Sequence, residues 1–343
     1  MTTIATNQLT VPDEIRSRPG TARMLTGDRP TGKLHIGHYF GSLRNRVRLQ
    51  NQGVDSLVVI ADYQVLTDRD IAADLSGHIH EIVLDYLAAG ISPQRSTIFT
   101  HSAVPALNQL LLPFLSLVST AELDRNPTVK EEIAAARRAS VSGLIYTYPA
   151  HQAADILFCD ATVVPVGDDQ LPHLELTRTI ARRFNDRYGK VFTVPKPLLS
   201  PAPRLLGVDG RTKMSKSRGN AIALSATADE TARLIKSAVT DADRHINYDP
   251  ANRPGVSNLL LLIGLCTGQE PEQVAESLSG AADLKRTCTE AVNEFFAPLR
   301  RRRRELAADP AQVGRIITEG NTRARTIADD TLDRVRRAMG TFA

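Results

Sequence analysis

The chain has 343 residues, a formal net charge of +4, and 42% hydrophobic and 23% charged residues. This length is enough for two domains with a substantial core, and the mild positive charge permits a nucleic-acid partner without requiring one. No apolar run approaches the roughly 18 residues of a membrane span, and residues 1–22 form a polar extension without a secretory signal, so we expect a cytoplasmic protein. Three widely spaced cysteines show no metal-ligand pattern, which predicts buried, reduced thiols and no metal site: Cys159, Cys266 and Cys288.

The first predicted unit is a strand over 24–26, a loop rich in glycine and proline over 27–33, and an amphipathic helix over 35–51. Free N–H groups and the positive end of the helix dipole favour phosphate binding at such a helix start. The helix therefore begins where a phosphate-bearing ligand would lie.

His35 and His38 lie three residues apart and share one face of the first helical turn. Two imidazoles there can stabilise charge on a phosphate under attack, and Gly37 between them would let a ligand approach the backbone. Taken alone, such a pair is more often a surface feature or half of a metal site.

Apolar runs and amphipathic helices then alternate, which predicts a doubly wound parallel sheet. The runs at 55–61 and 96–100 predict buried strands, separated by a helix over 71–89. Asp62, Tyr63 and Gln64 follow the carboxyl end of the strand at 55–61, where ligands bind in open α/β sheets.

The next segments predict three helices. Residues 105–117 are apolar enough for a helix buried in the domain or in a subunit interface, and 129–138 predicts a charged surface helix. Within residues 144–160, Pro149 is predicted near the first turn of a helix that has apolar flanks and carries Gln152 and Asp155 on one face. A buried carboxylate needs a donor, and a ligand's ring N–H, a backbone N–H or a tyrosine hydroxyl would each serve.

A predicted strand over 162–166 leads into Gly167, Asp168 and Asp169 and then a helix over 171–184. The two acids could cap that helix or hold ribose hydroxyls at the strand end. Residues 195–203 are rich in proline and predict irregular structure.

Lys213, Met214, Ser215, Lys216 and Ser217 form a polar loop after Asp209-Gly210. Two lysines in such a mobile loop can bring positive charge onto a leaving polyphosphate. The simpler interpretation is a solvated charged turn.

From about residue 226 the pattern is helical to the end, with a last helix over 310–340 and a break predicted at Gly320. Arg300–Arg304 are five arginines in succession. On a helix they spread around the axis, so they cannot all face one ligand.

The segments His35–His38 and Lys213–Ser217 resemble, without a mismatch, the HIGH and KMSKS motifs of class I aminoacyl-tRNA synthetases. Their flanks, residues 27–32 and 39–43, look like those of tryptophanyl-tRNA synthetases, most like the divergent auxiliary form of some bacteria. The resemblance runs from about Met24 to the C-terminus. It implies that ATP, with Mg²⁺ bridging its phosphates, activates L-tryptophan, and that a cytoplasmic homodimer transfers it to tRNA(Trp).

The resemblance also assigns roles to residues. The catalytic residues would be His35, His38, Lys213 and Lys216. The ATP site would be formed by three loops, through Arg29, Pro30, Thr31, Gly37, His38, Gly167, Asp168, Asp169, Leu205, Lys213, Met214, Ser215, Lys216 and Ser217. The tryptophan pocket would contain Leu25, Gln64, Gln152 and, as the indole-binding aspartate, Asp155. Weaker candidates for contact with the tRNA acceptor end are Lys130, Arg137 and Arg138.

In domain terms, the resemblance implies a Rossmann-like catalytic domain over 23–225, with a connecting and dimer region at about 101–148. A helical domain over 226–343 would bind the tRNA anticodon, with some of Arg300–Arg304 in contact with RNA phosphates and the others solvated.

Three pocket residues depart from the usual bacterial pattern: Leu25 replaces Phe, Gln64 replaces His and Gln152 replaces Met. These changes resemble the auxiliary form and make the pocket more polar. Gln152 with Asp155 also resembles the Gln-Ala-x-Asp of tyrosyl-tRNA synthetases, so tyrosine is the alternative substrate. A third hypothesis is a synthetase-like protein that binds tRNA or a partner without acylation, and the intact histidine and lysine pairs argue against it.

Overall fold

The computed structural model describes residues 12–67, 74–135, 142–167, 170–199 and 205–341. The strands are β1 (Arg23–Asp28), β2 (Asp55–Ile60), β3 (Ser96–Thr100), β4 (Val163–Val166) and β5 (Lys196–Leu199). They form one parallel five-stranded sheet in the order β3-β2-β1-β4-β5. The strand order reverses between β1 and β4, and ligands bind at the carboxyl ends of the strands flanking such a switch point. The predicted doubly wound α/β fold is confirmed.

Helices connect the strands and cover the sheet. Those before residue 190 are α1 (Asp13–Ser17), α2 (Ile36–His38), α3 (Arg44–Asn51), α4 (Leu75–Ala89), α5 (Pro105–Leu115), α6 (Thr120–Arg125), α7 (Pro127–Ala135), α8 (Gly143–Leu157) and α9 (Leu171–Tyr188). A π-helical turn, Tyr39–Leu43, joins α2 to α3, so the two make one continuous rod as predicted.

The C-terminal part is helical, as predicted. Its helices are α10 (Ala228–Lys236), α11 (Pro254–Thr267), α12 (Pro271–Glu276), α13 (Ala281–Ala307) and α14 (Pro310–Met339). Among the described residues, no helix is both long and apolar enough to span a membrane. The three cysteines are free thiols, two of them buried and Cys266 half-buried.

Two local predictions are wrong because tertiary context decides them. Residues 195–203 were expected to be irregular, but Lys196–Leu199 pair with β4 as an edge strand. Proline is tolerated there because an edge strand needs a partner on one side only. Pro149 was expected near a helix start, but α8 begins at Gly143, so this buried proline lies in the helix interior.

The predicted break at Gly320 is absent, because α14 continues through it. A Cβ atom on Gly320 would lie 1.8 Å from the carbonyl oxygen of Ile98 in β3. The next residue, Asn321, accepts a hydrogen bond from the backbone N–H of Thr100 at 2.9 Å. The glycine therefore lets the last helix lie directly against the edge of the sheet.

The run of arginines in α13 also differs from expectation. Arg300 is buried and donates to Asn293 Oδ1 at 2.7 Å and to Thr231 Oγ1 at 2.9 Å. Arg303 pairs with Glu81 and Asp85 of α4, both at 2.6 Å. These two arginines are therefore not solvated; their side chains hold α13 against α4 and α10. Arg301, Arg302 and Arg304 are exposed.

Asp85 links the ion pair with Arg303 to the start of the first helix. Its Oδ1 accepts from Arg303 Nε, and its Oδ2 accepts from the backbone N–H of Leu34 at 2.7 Å. The Asp85 side chain is fully enclosed. Leu34 directly precedes His35, so α4 and α13 together fix the backbone from which the two histidines project.

We expect Gly320→Ala to destabilise the protein by about 1–3 kcal/mol, because the added methyl meets backbone that cannot move aside. Gly314 of the same helix has nothing within 4 Å of its Cβ position. Gly314→Ala should therefore stabilise the protein by up to about 1 kcal/mol through helix propensity. Urea denaturation of both variants measures the two changes, and equal shifts of one sign would contradict the close contact.

We expect Arg303→Ala to lower the free energy of unfolding by about 3 kcal/mol, because it leaves Asp85 buried without its ionic partner. The matched control, Arg302→Ala, removes an exposed neighbour and should change stability by less than about 0.5 kcal/mol. Chemical denaturation of the two variants compares them directly. Similar losses of unfolding free energy in the two variants would show that the ion pair stabilises the protein no more than an exposed arginine does.

Candidate active site

The two histidines of the first helix pack against each other at the carboxyl end of β1. Their ring centroids are 3.7 Å apart, and the backbone N–H of His35 donates to His38 Nδ1 at 3.2 Å. They share one face, as predicted. His35 is buried, and its Nδ1 has no hydrogen-bond partner among the described residues.

Burial governs the electrostatics of this pair. It lowers the pKa of His35 to about 3, with further lowering by His38, Lys216 and Lys213. Burial also lowers the pKa of His38 to about 4, although the charge of Asp28 acts in the opposite direction. Both imidazoles are therefore neutral at physiological pH, and they offer N–H dipoles rather than full charges.

Gly37 has a packing role besides the approach of a ligand, which stays a prediction. A Cβ atom there would lie 2.9 Å from His35 Nδ1 and 3.6 Å from the sulfur of Met214. The small residue therefore makes room for the His35 ring and for the lysine loop.

A buried ion pair stands behind the histidines. Arg46 of α3 contacts Asp28 Oδ2 at 2.5 Å, and the Tyr86 hydroxyl donates to the same oxygen at 2.6 Å. Burial alone would raise the pKa of Asp28, but the charge and hydrogen bonds of Arg46 lower it. This ionised cluster fixes the end of β1, where the loop of residues 27–33 begins.

The lysine loop lies directly against this first loop. Lys216 Nζ donates to the carbonyl of Gly32 at 3.0 Å. The chain that follows pairs with the start of the helix: Ile36 N–H donates to Ile222 O at 3.0 Å, and Leu224 N–H donates to Leu34 O at 2.9 Å. The structure therefore brings the two predicted motifs together.

Asp209 and Asn220 shape the base of the lysine loop. Asp209 accepts hydrogen bonds from the Thr212 hydroxyl at 2.5 Å and from the Asn220 amide at 2.8 Å. These hydrogen bonds, the one from Thr212 first, lower the pKa of Asp209. Asn220 Oδ1 in turn accepts from the backbone N–H of Ser215 at 2.8 Å. Sequence reasoning missed this support, although Asp209-Gly210 marked the turn.

The remaining predicted ATP-site residues come from the same loops. Arg29 is exposed, Pro30 is buried, and Thr31 and Gly167 are half-buried. The Leu205 carbonyl accepts from Met214 N–H at 3.0 Å. Four predicted residues lie outside the described part of the chain: Asp168, Asp169, Arg137 and Arg138.

A second group of polar residues lies beyond the ends of β2 and β3. Asp155 of α8 is buried, and its Oδ1 lies 2.6 Å from His101 Nε2. His151, one turn earlier on α8, packs its ring edge-on against His101 with centroids 4.9 Å apart. His151 Nε2 lies 3.1 Å from Asn108 Oδ1. The predicted carboxylate therefore has a histidine partner, which was not among the three donors considered.

His101 follows β3 directly, and position at a strand end is the signal that could have identified it. Asp62, at the corresponding place after β2, accepts from the backbone N–H groups of Tyr63 and Ser102, each at 3.1 Å, and also from the Ser102 hydroxyl. The ends of the two strands are thereby tied together beside His101. Of the other predicted pocket residues, Gln64 and Gln152 are half-buried, and Leu25 is buried in the apolar cluster that includes α8.

His101, His151 and Asp155 are residue types that bind metals, and their donor atoms lie within 4.8 Å of one another. The 2.6 Å between His101 Nε2 and Asp155 Oδ1 is the distance of a close ion-pair contact, although neither atom makes a hydrogen bond of good geometry with the described residues. Ligand atoms around a tetrahedral zinc ion are roughly 3.3 Å apart, given bond lengths near 2.0–2.1 Å. An ion pair fits better: burial lowers the pKa of His101, but the charges of Asp155 and Asp62 outweigh it and raise that pKa.

Comparisons with known proteins agree with this geometry. The family described as tRNA synthetases class I (W and Y) matches residues 18–297. The chain is 43% identical to the tryptophan–tRNA ligase of Clostridium longisporum, over 92% of this chain and 96% of that one. It is 41% identical to the tryptophan–tRNA ligase of Treponema pallidum, over 94% and 97%.

Solved structures show the same relationship. The tryptophanyl-tRNA synthetase of Campylobacter jejuni, complexed with ADP and tryptophan, superposes with a TM-score of 0.80 at 29% identity, covering 93% of this chain and 99% of that one. The tyrosyl-tRNA synthetase of Archaeoglobus fulgidus, complexed with L-tyrosine, has a TM-score of 0.65 at 20% identity, covering 84% and 92%, and shares the fold. The resemblance seen in the two motifs is confirmed: the chain belongs to the class I tRNA synthetases of the W and Y family.

Proposed function

We propose that this aminoacyl-tRNA ligase activates L-tryptophan with ATP and transfers it to tRNA(Trp). The observation that carries the proposal is the meeting of the two motifs, with Lys216 Nζ on the Gly32 carbonyl beside the two histidines. The relatives named as tryptophan–tRNA ligases favour tryptophan over tyrosine.

The first step places negative charge where this site has donors. The tryptophan carboxylate attacks the α-phosphorus of ATP, the bond to the bridging oxygen breaks, and pyrophosphate leaves with the electron pair. Neutral His35 and His38 donate N–H hydrogen bonds to the phosphates, and Lys213 and Lys216 neutralise charge on the leaving pyrophosphate. The protein contributes positioning and electrostatic stabilisation, and it forms no covalent bond to the substrate.

Mg²⁺ would enter this site with the nucleotide. Asp28 is already bonded to Arg46 and Tyr86, so it has little capacity left for a metal ion. Phosphate oxygens and water would therefore supply the ligands, as is usual for this cation, and the ion would offset phosphate charge.

Asp155 is the proposed acceptor for the indole N–H of tryptophan. It lies on α8 beyond the sheet ends, in a group shared with His101 and His151. An amino acid without a ring donor would leave this buried carboxylate unsatisfied, which disfavours it. Leu25, Gln64 and Gln152 would form the rest of the pocket.

The protein is proposed to work as a cytoplasmic homodimer. The helix α5 exposes 75% of Leu112, next to the half-buried Leu111 and Leu115. A second copy would cover this apolar face, in the connecting region at about 101–148. The helical part over 226–343 is proposed to bind the anticodon, with Arg301, Arg302 and Arg304 of α13 available for RNA phosphates.

We expect the rate of pyrophosphate exchange to fall at least about a hundredfold in the double variant Lys213→Ala/Lys216→Ala, because two donors to the leaving group are removed. Tryptophan binding should be unchanged. The chain contains no tryptophan, so fluorescence of the added amino acid reports binding without tryptophan emission from the protein. The matched control, Lys190→Ala/Lys236→Ala, removes two exposed lysines and should behave as the parent protein. Exchange retained in the first variant would rule out the proposed role of the loop.

We expect pyrophosphate exchange with tryptophan and none with tyrosine when the two are tested side by side. Exchange with tyrosine alone would mean that Gln64 and Gln152 have changed the specificity of the pocket. Exchange with neither amino acid would favour the hypothesis of a protein that binds tRNA without acylation.

A further inference from the structure

The strongest feature not explained by the reaction itself is the pairing of Asp155 with His101. The two residues are 2% and 1% exposed, so neither can rely on water for its hydrogen bonds. Asp155 Oδ1 lies 2.6 Å from His101 Nε2 in an ion-pair contact, and neither atom has another partner among the described residues. A carboxylate has two oxygens, and this contact uses one of them.

The position of His101 is fixed from two sides. On one side, Asp62 binds the backbone N–H and the hydroxyl of Ser102, which ties the end of β3 to the end of β2. On the other side, the His151 ring packs edge-on against the His101 ring and is itself held at Asn108. The imidazole is therefore a rigid support for the carboxylate.

We propose that His101 is a positioning residue that sets the preference of the pocket for a ring N–H donor. By holding one oxygen of Asp155, it presents the other oxygen to the indole nitrogen of tryptophan. This inference rests on the proposed function, in which Asp155 is the indole acceptor.

The proposal concerns discrimination rather than affinity alone. With the carboxylate held by His101, a ligand whose ring nitrogen is methylated places a methyl group where a donor is required, and the second oxygen stays unsatisfied. Without His101, the carboxylate can turn to find another donor. The preference for the N–H should then shrink, even where the pocket still binds the ring.

The test compares tryptophan with 1-methyltryptophan, in which a methyl group replaces the hydrogen of the ring N–H. Both ligands fluoresce and the chain has no tryptophan, so titration gives both dissociation constants directly. The variants are His101→Ala, His101→Gln and, as a control, His245→Ala, which removes an exposed histidine. A chelator in every sample removes any contribution from metal ions bound by the histidines.

The parent protein and the control should bind tryptophan at least about tenfold more tightly than 1-methyltryptophan. In His101→Ala, the dissociation constant for 1-methyltryptophan should be only about one- to threefold that for tryptophan. His101→Gln should recover most of the preference, since its amide N–H can also donate to Asp155.

Two results would overturn the proposal. One is a parent protein that binds both ligands equally well. The other is a His101→Ala variant that loses affinity for both ligands in proportion, because its ratio then matches the parent and His101 has only a structural role. A parent that binds neither ligand and shows no exchange with tryptophan would instead reject the proposed function, which separates the two failures.

Discussion

The site depends on backbone pairing between residues 34–36 and 222–224. Hydrogen bonds from Ile36 to Ile222 and from Leu224 to Leu34 join segments that lie far apart in the sequence. Because residues 222–224 follow the lysine loop closely in the sequence, this pairing determines where the Lys216 side chain lies. A second anchor, the bridge between Leu206 and Lys213, holds the beginning of the loop. The loop is thus held at both ends by backbone pairing.

The electrostatics of the site follow from this proximity. The charges of Lys213 and Lys216 act on His35, and together with burial they keep its imidazole neutral. A protonated His35 would be a third positive charge beside the two lysines, and it would be repelled by both. A polyphosphate would enter a site whose positive charge is already in place and whose neutral donors need no change of protonation to bind it. Such preorganisation lowers the reorganisation needed during the reaction.

Local sequence patterns were sufficient to predict most of the fold. They failed where contacts with residues distant in the sequence determine the structure. The strand β2 was predictable because burial on both faces produces a continuous apolar run. The strand β5 was not, because Pro197 gives no local sign that β4 offers a partner. The shared face of His35 and His38 was predictable from their spacing, and their pairing with the lysine loop from the resemblance of both segments to the family motifs. The pairing of Asp155 with His101 was not, since it depends on how α8 lies over the end of β3. In the same way, the arginine run of α13 could not reveal that Arg303 faces Glu81 and Asp85.

The same long-range contacts join the helical C-terminal part to the candidate active site. One cluster of buried side chains runs from the first helix through α4 to α11 and α13, and a second joins the sheet and α8 to α14. Two hydrogen bonds to Asp85 link α13 to the segment that carries the histidines. Arg303 of α13 donates one, and the backbone N–H of Leu34, next to His35, donates the other. At Gly320, α14 touches β3 without an intervening side chain. A displacement of either helix by bound RNA would therefore strain the sheet edge or the start of the first helix, because close-packed contacts do not deform gradually.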